Sequence, residues 1–277
     1  MENVQAGERQ KTPLFHHLLM NPIARKLTKV QERDEAHGAT YGGIIRKSIF
    51  FLLLTVVGLG LYFFIHQQFD QGLFIEVENY RFSIYEIYGV AAAAVFTVFS
   101  PFLIWLVRPL IPVFGILYCL GQGFLLAWAV GTFGDIYEFA AWAALGITIV
   151  IVFSMLVLYS CNIVKVNHKF RSVVTTLFLA SILCSLAFMV CSFVPQLQGI
   201  YSFIMENMVV SILGSVVFII LATLFLLVDF DCIRNTVEEK LPKKYEWVAA
   251  MALVFTVIWL YFKVLNLILK LTTSKNR

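Results

Sequence analysis

The stretch FLLVDFDCIRNTVEEKLPKKYEWVAAM, residues 225–251, decides how the chain is read. An apolar run gives way to Asp229 and Asp231, a short charged segment follows, and a second apolar run opens behind Pro242 with Glu246 and Trp247. Proline at a helix start, an acid in the positive first turn and aromatics at headgroup level are what the beginning of a membrane helix requires. The segment therefore reads as a turn between two helices that cross a bilayer.

The rest of the 277 residues repeats this pattern. The chain is 60 % hydrophobic and only 14 % charged, a balance foreign to soluble domains. Crossing the hydrocarbon takes about 20 mostly apolar residues per helix. Seven such runs lie near residues 48–66, 87–107, 110–130, 136–159, 173–194, 208–228 and 246–269. Backbone polar groups in lipid must be satisfied within their own segment, so the runs are helices, and no series of short alternating strands suggests a barrel. The expectation is an all-α integral membrane bundle of seven helices over 45–271, with tails at 1–44 and 272–277.

The first run follows more than 40 residues of polar tail without a small-residue cleavage site, so it reads as a retained helix. Within the tail, NPIARKLTKVQERDEAH (21–37) reads either as a short surface helix started by Asn21 and Pro22 or as a solvated arm. His16, His17 and His37 do not make a metal site by spacing. Cys119, Cys161, Cys184, Cys191 and Cys232 form no C-x-x-C pair, which points to packing thiols.

Lysines and arginines set the orientation. Of the 21, 16 fall in the N-terminal tail and the second, fourth and sixth connections, leaving Arg81, Lys263, Lys270, Lys275 and Arg277. The other connections carry Asp70, Glu76, Glu78 and Glu86, then Asp135 and Glu138, then Glu206. The N-terminus is expected inside and the C-terminus outside, and the net charge of +4 reports topology, with no nucleic-acid partner implied.

Pro101, Pro109 and Pro112 imply a kink and a tight turn through Arg108, so that the second and third helices form a hairpin. Gly121, Gly123 and Ala127 allow close helix approach, and the amide of Gln122 needs an interior partner. Lys165, Lys169 and Arg171 read as headgroup anchors. No phosphate-binding loop, nucleophile elbow, H-E-x-x-H or calcium-loop motif occurs, so no cofactor is implied.

Asp229 and Asp231 are placed at the end of the sixth helix, where the macrodipole disfavours carboxylates. Either can bind a proton or exchange it for a cation. Residues two apart point about 200° apart on a helix, so only one can face the interior. The other pairs with Arg234, or with Lys240, Lys243 or Lys244. The plain alternative is two solvated aspartates matched with basic neighbours. In the seventh run, Lys263 can snorkel and Thr256 can bond its own backbone.

These residues carry a resemblance. NPIARKL, ATYGGIIRKSIFFLLL, RPLIPVFGILYCLGQGFLLAWAVG, VFSMLVLYSCNIVKVNHKFRSVV and VDFDCIRNTVEEKLPKKYEWVAAMALVFTVIWLYFKVLNLI together resemble the Bax inhibitor-1/YccA-like family, most closely its YccA-type bacterial branch. The resemblance implies a bundle with the seventh helix central, a pH-sensitive calcium leak, and a proton shared between a sixth-helix and a seventh-helix carboxylate. The first of these matches Asp229, followed by Asp231; the second falls on Thr256, which cannot carry the charge. Asp231 or Glu246 is the candidate replacement. Gln122 and Lys263 likewise stand where the family pattern has acids, which weakens attraction for cations. The competing expectation is a non-conducting regulator gripped through its tail by a membrane-bound AAA protease. An intramembrane aspartyl protease pairing Asp135 with Asp229 is rejected, because the expected topology puts them on opposite surfaces; no enzyme activity is expected. A bacterial inner membrane is the expected location.

Overall fold

The computed structural model describes residues 38–69, 74–77, 80–106, 110–161, 163–164, 166–194, 199 and 207–275. The tail helix at 21–37, its histidines, Arg108, Pro109, Lys165 and Glu206 lie outside them.

All seven runs are helices: α1 (Tyr41–Phe69), α2 (Ile84–Leu106), α3 (Ile111–Phe133), α4 (Asp135–Ser160), α5 (His168–Phe193), α6 (Met208–Glu238) and α7 (Lys244–Lys275). Five of them, α1, α3, α4, α6 and α7, are long and apolar enough to cross a membrane. The exposed surface is apolar on a scale that only lipid tolerates, with Phe139, Trp142 and Phe153 of α4 and Leu53, Val56 and Phe64 of α1 all more than half exposed. Several serines and threonines inside the helices satisfy themselves by donating one turn back, as Ser48 does to Ile44 O and Thr236 to Cys232 O. The chain is an all-α multi-pass membrane bundle.

One element was not anticipated. Between α1 and α2 lies a short antiparallel hairpin, β1 (Phe74–Val77) and β2 (Tyr80–Ser83), with Phe74 opposite Ser83 and Val77 opposite Tyr80. Four-residue strands are too short to span the membrane and carry no hydropathy signal.

Helix α7 is the axis. Its most apolar stretch is 61 % buried, against 11–39 % for the other four spans, and it packs against α1, α3, α4 and α6. Ala249, Ala250 and Met251 pack in one cluster with Phe51 of α1 and Tyr118 of α3, while Leu260, Val264 and Leu265 meet Ala140 and Ala144 of α4 and Ala222 of α6. Pro101 lies inside the unbroken span of α2, which packs on α3 as expected of a hairpin. The glycines of α3 act as read: a Cβ on Gly121 would sit 2.9 Å from Thr97 Oγ1 and 3.0 Å from Ala93 O of α2, and one on Gly123 would overlap the Thr55 carbonyl of α1.

The turn in residues 225–251 has a specific construction. Helix α6 runs ten residues past its expected end, because a polar, solvated extension leaves no trace in an apolar-run count. It stops in a Schellman motif in which Leu241 N donates to Thr236 O (3.2 Å) and Lys240 N to Val237 O (3.1 Å), with Lys240 in the left-handed region at φ 50°. Ala39 N then donates to Leu241 O at 2.7 Å and Gly38 bridges to Pro242, so the segment before α1 closes over this turn. Helices α1 and α7 accordingly start at Tyr41 and Lys244 and α7 ends at Lys275, beyond the expected limits of 45 and 271.

Gly123→Ala is expected to lower the stability of the purified protein by about 1–3 kcal/mol, since backbone faces the added methyl. Gly60→Ala, with open space around it, should leave the unfolding temperature in detergent unchanged or slightly raised.

Candidate functional site: the seam between α6 and α7

Extension of α6 to Glu238 moves both aspartates off the helix terminus and into its body. They separate as their spacing requires. Asp229 points inward and is 2 % exposed, whereas Asp231 turns toward α4 and α5.

Asp231 is fully engaged. It forms an ion pair with Arg171 at the start of α5, accepts from Asn235 Nδ2 at 3.2 Å, and lies 3.4 Å from the hydroxyl of Tyr159 on α4. The expected partner, Arg234, is elsewhere: its Nε donates to Glu238 Oε1 at 2.7 Å one turn along, and it reaches Asp231 only through the Tyr159 hydroxyl. Arg171 brings Asp231 a planar, partly buried guanidinium. Arg171 is therefore a structural partner of Asp231 as well as a surface cation. Nothing in the spacing of two groups 60 residues apart announced the pair.

Asp229 is the opposite case. Leu226, Leu227, Val228 and Phe230 around it on α6 are all buried. Facing it on α7 is Thr256, 1 % exposed, the position to which the family resemblance assigned the second member of the pair. The Thr256 hydroxyl has one proton and two acceptors in reach, the carboxylate of Asp229 and its own helix at Ala252 O, 3.2 Å away. Asp229 Oδ2 has no hydrogen-bond partner among the described residues, and it is the one carboxylate oxygen among the buried side-chain atoms in that condition. A buried carboxyl left in this way has two remedies, a proton or a cation.

Glu246 does not replace the missing carboxylate. It lies ten residues before Thr256 on α7, about 15 Å along the axis. Its carboxylate is consumed at the α1 junction, where it pairs with Lys47 and accepts from Thr40 N (2.9 Å) and Thr40 Oγ1 (3.2 Å). Gly43 supplies the gap into which the Glu246 side chain fits. Lys47 and Thr40 were missed because they stand at the polar entrance of α1, where their charge and hydroxyl look like ordinary interface residues.

The remaining candidates lie off the Asp229 contact. The Gln122 amide finds its interior partner in the Tyr118 hydroxyl one turn back, and Tyr118 rests on Phe255 beside Thr256. Lys263 sits with its Nζ 4.6 Å from the centre of the Phe218 ring. Helix α4 begins at Asp135 and brings Tyr159, 24 residues later, to Asp231, so positions 135 and 229 lie near opposite ends of the bundle. Among the described residues no cluster of three or more His, Cys, Asp or Glu could hold a metal ion, and all five cysteines are free.

A polytopic bundle wound about a buried seventh helix, with a lone carboxyl on the α6–α7 seam, defines the class of protein. A family model described as Bax inhibitor 1 like matches residues 21–273, nearly the whole chain, and the protein belongs to that family. Neither the curated proteins nor the solved structures contain a match to the chain.

The two ion pairs make contrasting predictions. Arg171→Gln, which strands Asp231 partly buried, should cost about 1–3 kcal/mol of stability. Arg234→Gln breaks an exposed pair between neighbouring turns and should cost no more than about 0.5 kcal/mol. Thermal unfolding of the two variants side by side reads the difference.

Proposed function

We propose that the protein is a pH-sensitive cation leak, with calcium as the favoured cargo, gated at Asp229. The observation that carries this reading is the Asp229 oxygen that lacks a partner inside the bundle opposite Thr256. While Asp229 holds a proton the seam contains two neutral groups, and Thr256 is free to bond Ala252. When the proton leaves, the carboxylate draws the Thr256 proton to itself and offers a cation the only negative charge on this contact. The switch thus needs one carboxylate and one hydroxyl where the family pattern has two carboxylates, with Asp231 holding the neighbouring turn through Arg171. The end of the bundle that bears Arg46, Lys47, Lys169, Arg171, Lys240, Lys243 and Lys244 is the cytoplasmic one by its charge. A YccA-type protein of a bacterial inner membrane, N-terminus inside, fits that orientation.

A second reading has its own observation. Lys263 and Lys270 continue the stripe of Thr256 in steps of seven residues, so a cation following the seam meets two ammonium groups. That favours a non-conducting regulator, of the kind whose tail a membrane-bound AAA protease grips.

Calcium uptake into liposomes holding the purified protein separates the two. Flux that rises with pH between about 6 and 8 in the wild type, and stays low and constant in Asp229→Asn, is the expected result. Identical profiles for both proteins would overturn the gate. No flux above empty liposomes from folded protein would move the assignment to the regulator, for which removing residues 1–40 should alter association or turnover.

A further inference from the structure

The α6–α7 seam ends, far from Asp229, in two cations that the proposed gate does not use. Steps of seven from Thr256 along α7 reach Lys263 and Lys270, and steps of seven back from Asp229 along antiparallel α6 reach Ala222 and Ser215. The contact at the far end follows this register: Lys270 Nζ donates to Ser215 Oγ at 2.8 Å and to Ser211 O at 3.2 Å. Lys263 Nζ lies over Phe218, four residues further from Asp229 than the register position Ala222, so its stem bends toward the end of the bundle. Among the described residues neither lysine has a carboxylate within ion-pair distance, and Lys263 has no hydrogen-bond acceptor. An ammonium carries three protons, so Lys270 keeps one unused and Lys263 keeps all three.

The depth of these groups is informative. Taking Trp247 as one interface, Lys263 lies about 24 Å and Lys270 about 35 Å along α7, which brackets the level where hydrocarbon gives way to headgroups at the far surface. The same face is reached lower down by α5, through Phe178, whose ring centre is 4.7 Å from Phe225 and 5.3 Å from Trp259. Beyond Trp259 that face of α7 carries Lys263, Asn266 and Lys270, and Asn266 is exposed. A charged, partly buried pair with spare donors at headgroup depth, next to an exposed amide and apolar helix walls, matches an amphiphile with an anionic head.

We infer that Lys263 and Lys270, with Asn266 beside them, bind the phosphate headgroup of an anionic phospholipid in the leaflet remote from Asp229. The phosphate would accept from the free ammonium protons, and its acyl chains would lie along the exposed apolar surface of the bundle.

Native mass spectrometry of the full-length protein in neutral detergent tests this, with phosphatidylglycerol and phosphatidylcholine supplied in equal amounts. The wild type should retain phosphatidylglycerol over phosphatidylcholine by about tenfold or more, the preference two lysines near a membrane surface confer. Lys263→Gln/Lys270→Gln should lose most of this preference, keeping only what the basic residues at the opposite end of the bundle confer, while Gly60→Ala, which touches no lysine, should behave as wild type. Each single variant should show an intermediate preference, and these carry the test if the double variant does not fold. Equal retention by the wild type, or a preference undiminished in the folded double variant, would overturn the assignment. Displacement of the lipid by millimolar inorganic phosphate would also overturn it, since the site would then serve a free anion.

Discussion

A carboxyl group held inside a membrane bundle with one oxygen unbonded is the constraint around which the rest of this structure is arranged. Three other buried or half-buried acids show how such a group is normally accommodated. Glu246 is clasped by Thr40 and Lys47 at the start of α7. Glu86, in the first turn of α2, accepts from Ser83 N at 3.0 Å and lies 2.5 Å from His66 Nδ1. Asp231 has Arg171, Asn235 and Tyr159. The first two also gain from the positive end of their helix. Asp229 has none of this: it sits in the body of α6, away from both helix ends, with a threonine for company. An acid so placed costs stability, and a protein that keeps one in lipid surroundings has a use for its proton or its charge.

The position of α7 makes that site possible. Membrane helices gain little from the hydrophobic effect in packing together, so close approach and fit must hold them. The small side chains of Ala249, Ala250 and Ala252 help α7 to touch four other helices, and the glycines of α3 let that helix approach α1 and α2. The junction of Ala39 and Gly38 with Leu241 and Pro242 ties the start of α1 to the α6–α7 turn, and Glu246 adds a charged tie one turn deeper. Asp229 thus lies between a well-fastened junction and a seam that ends in Lys263 and Lys270. The α6–α7 contact runs from a buried acid at one end to two lysines at the other.

The helices were legible in the sequence because spanning lipid demands long apolar runs, and nothing else in this composition could satisfy their backbones. That Asp229 and Asp231 turn to different sides was equally legible, from helical pitch alone, but pitch did not say which of them faces inward. Helix ends were not. Residues 229–238 continue α6 in a polar sequence that hydropathy treats as loop, and the paired strands 74–77 and 80–83 are too short to register. Partners were the least accessible feature. Arg171 with Asp231 and Lys47 with Glu246 join residues 60 and 199 positions apart, and no local period links them. The opposition of Thr256 to Asp229 came from family resemblance, and the antiparallel seven-residue register now gives it a physical basis.

The most direct test of this account is infrared difference spectroscopy on protein in lipid, comparing wild type with Asp229→Asn as pH is varied across the neutral range. The expected result is a carboxylic-acid carbonyl band that gives way to carboxylate absorption as pH rises and that is missing from the variant. A wild-type spectrum whose carboxyl bands do not change with pH, or change identically in Asp229→Asn, would show that the buried aspartate keeps one protonation state and would contradict its role as the switch.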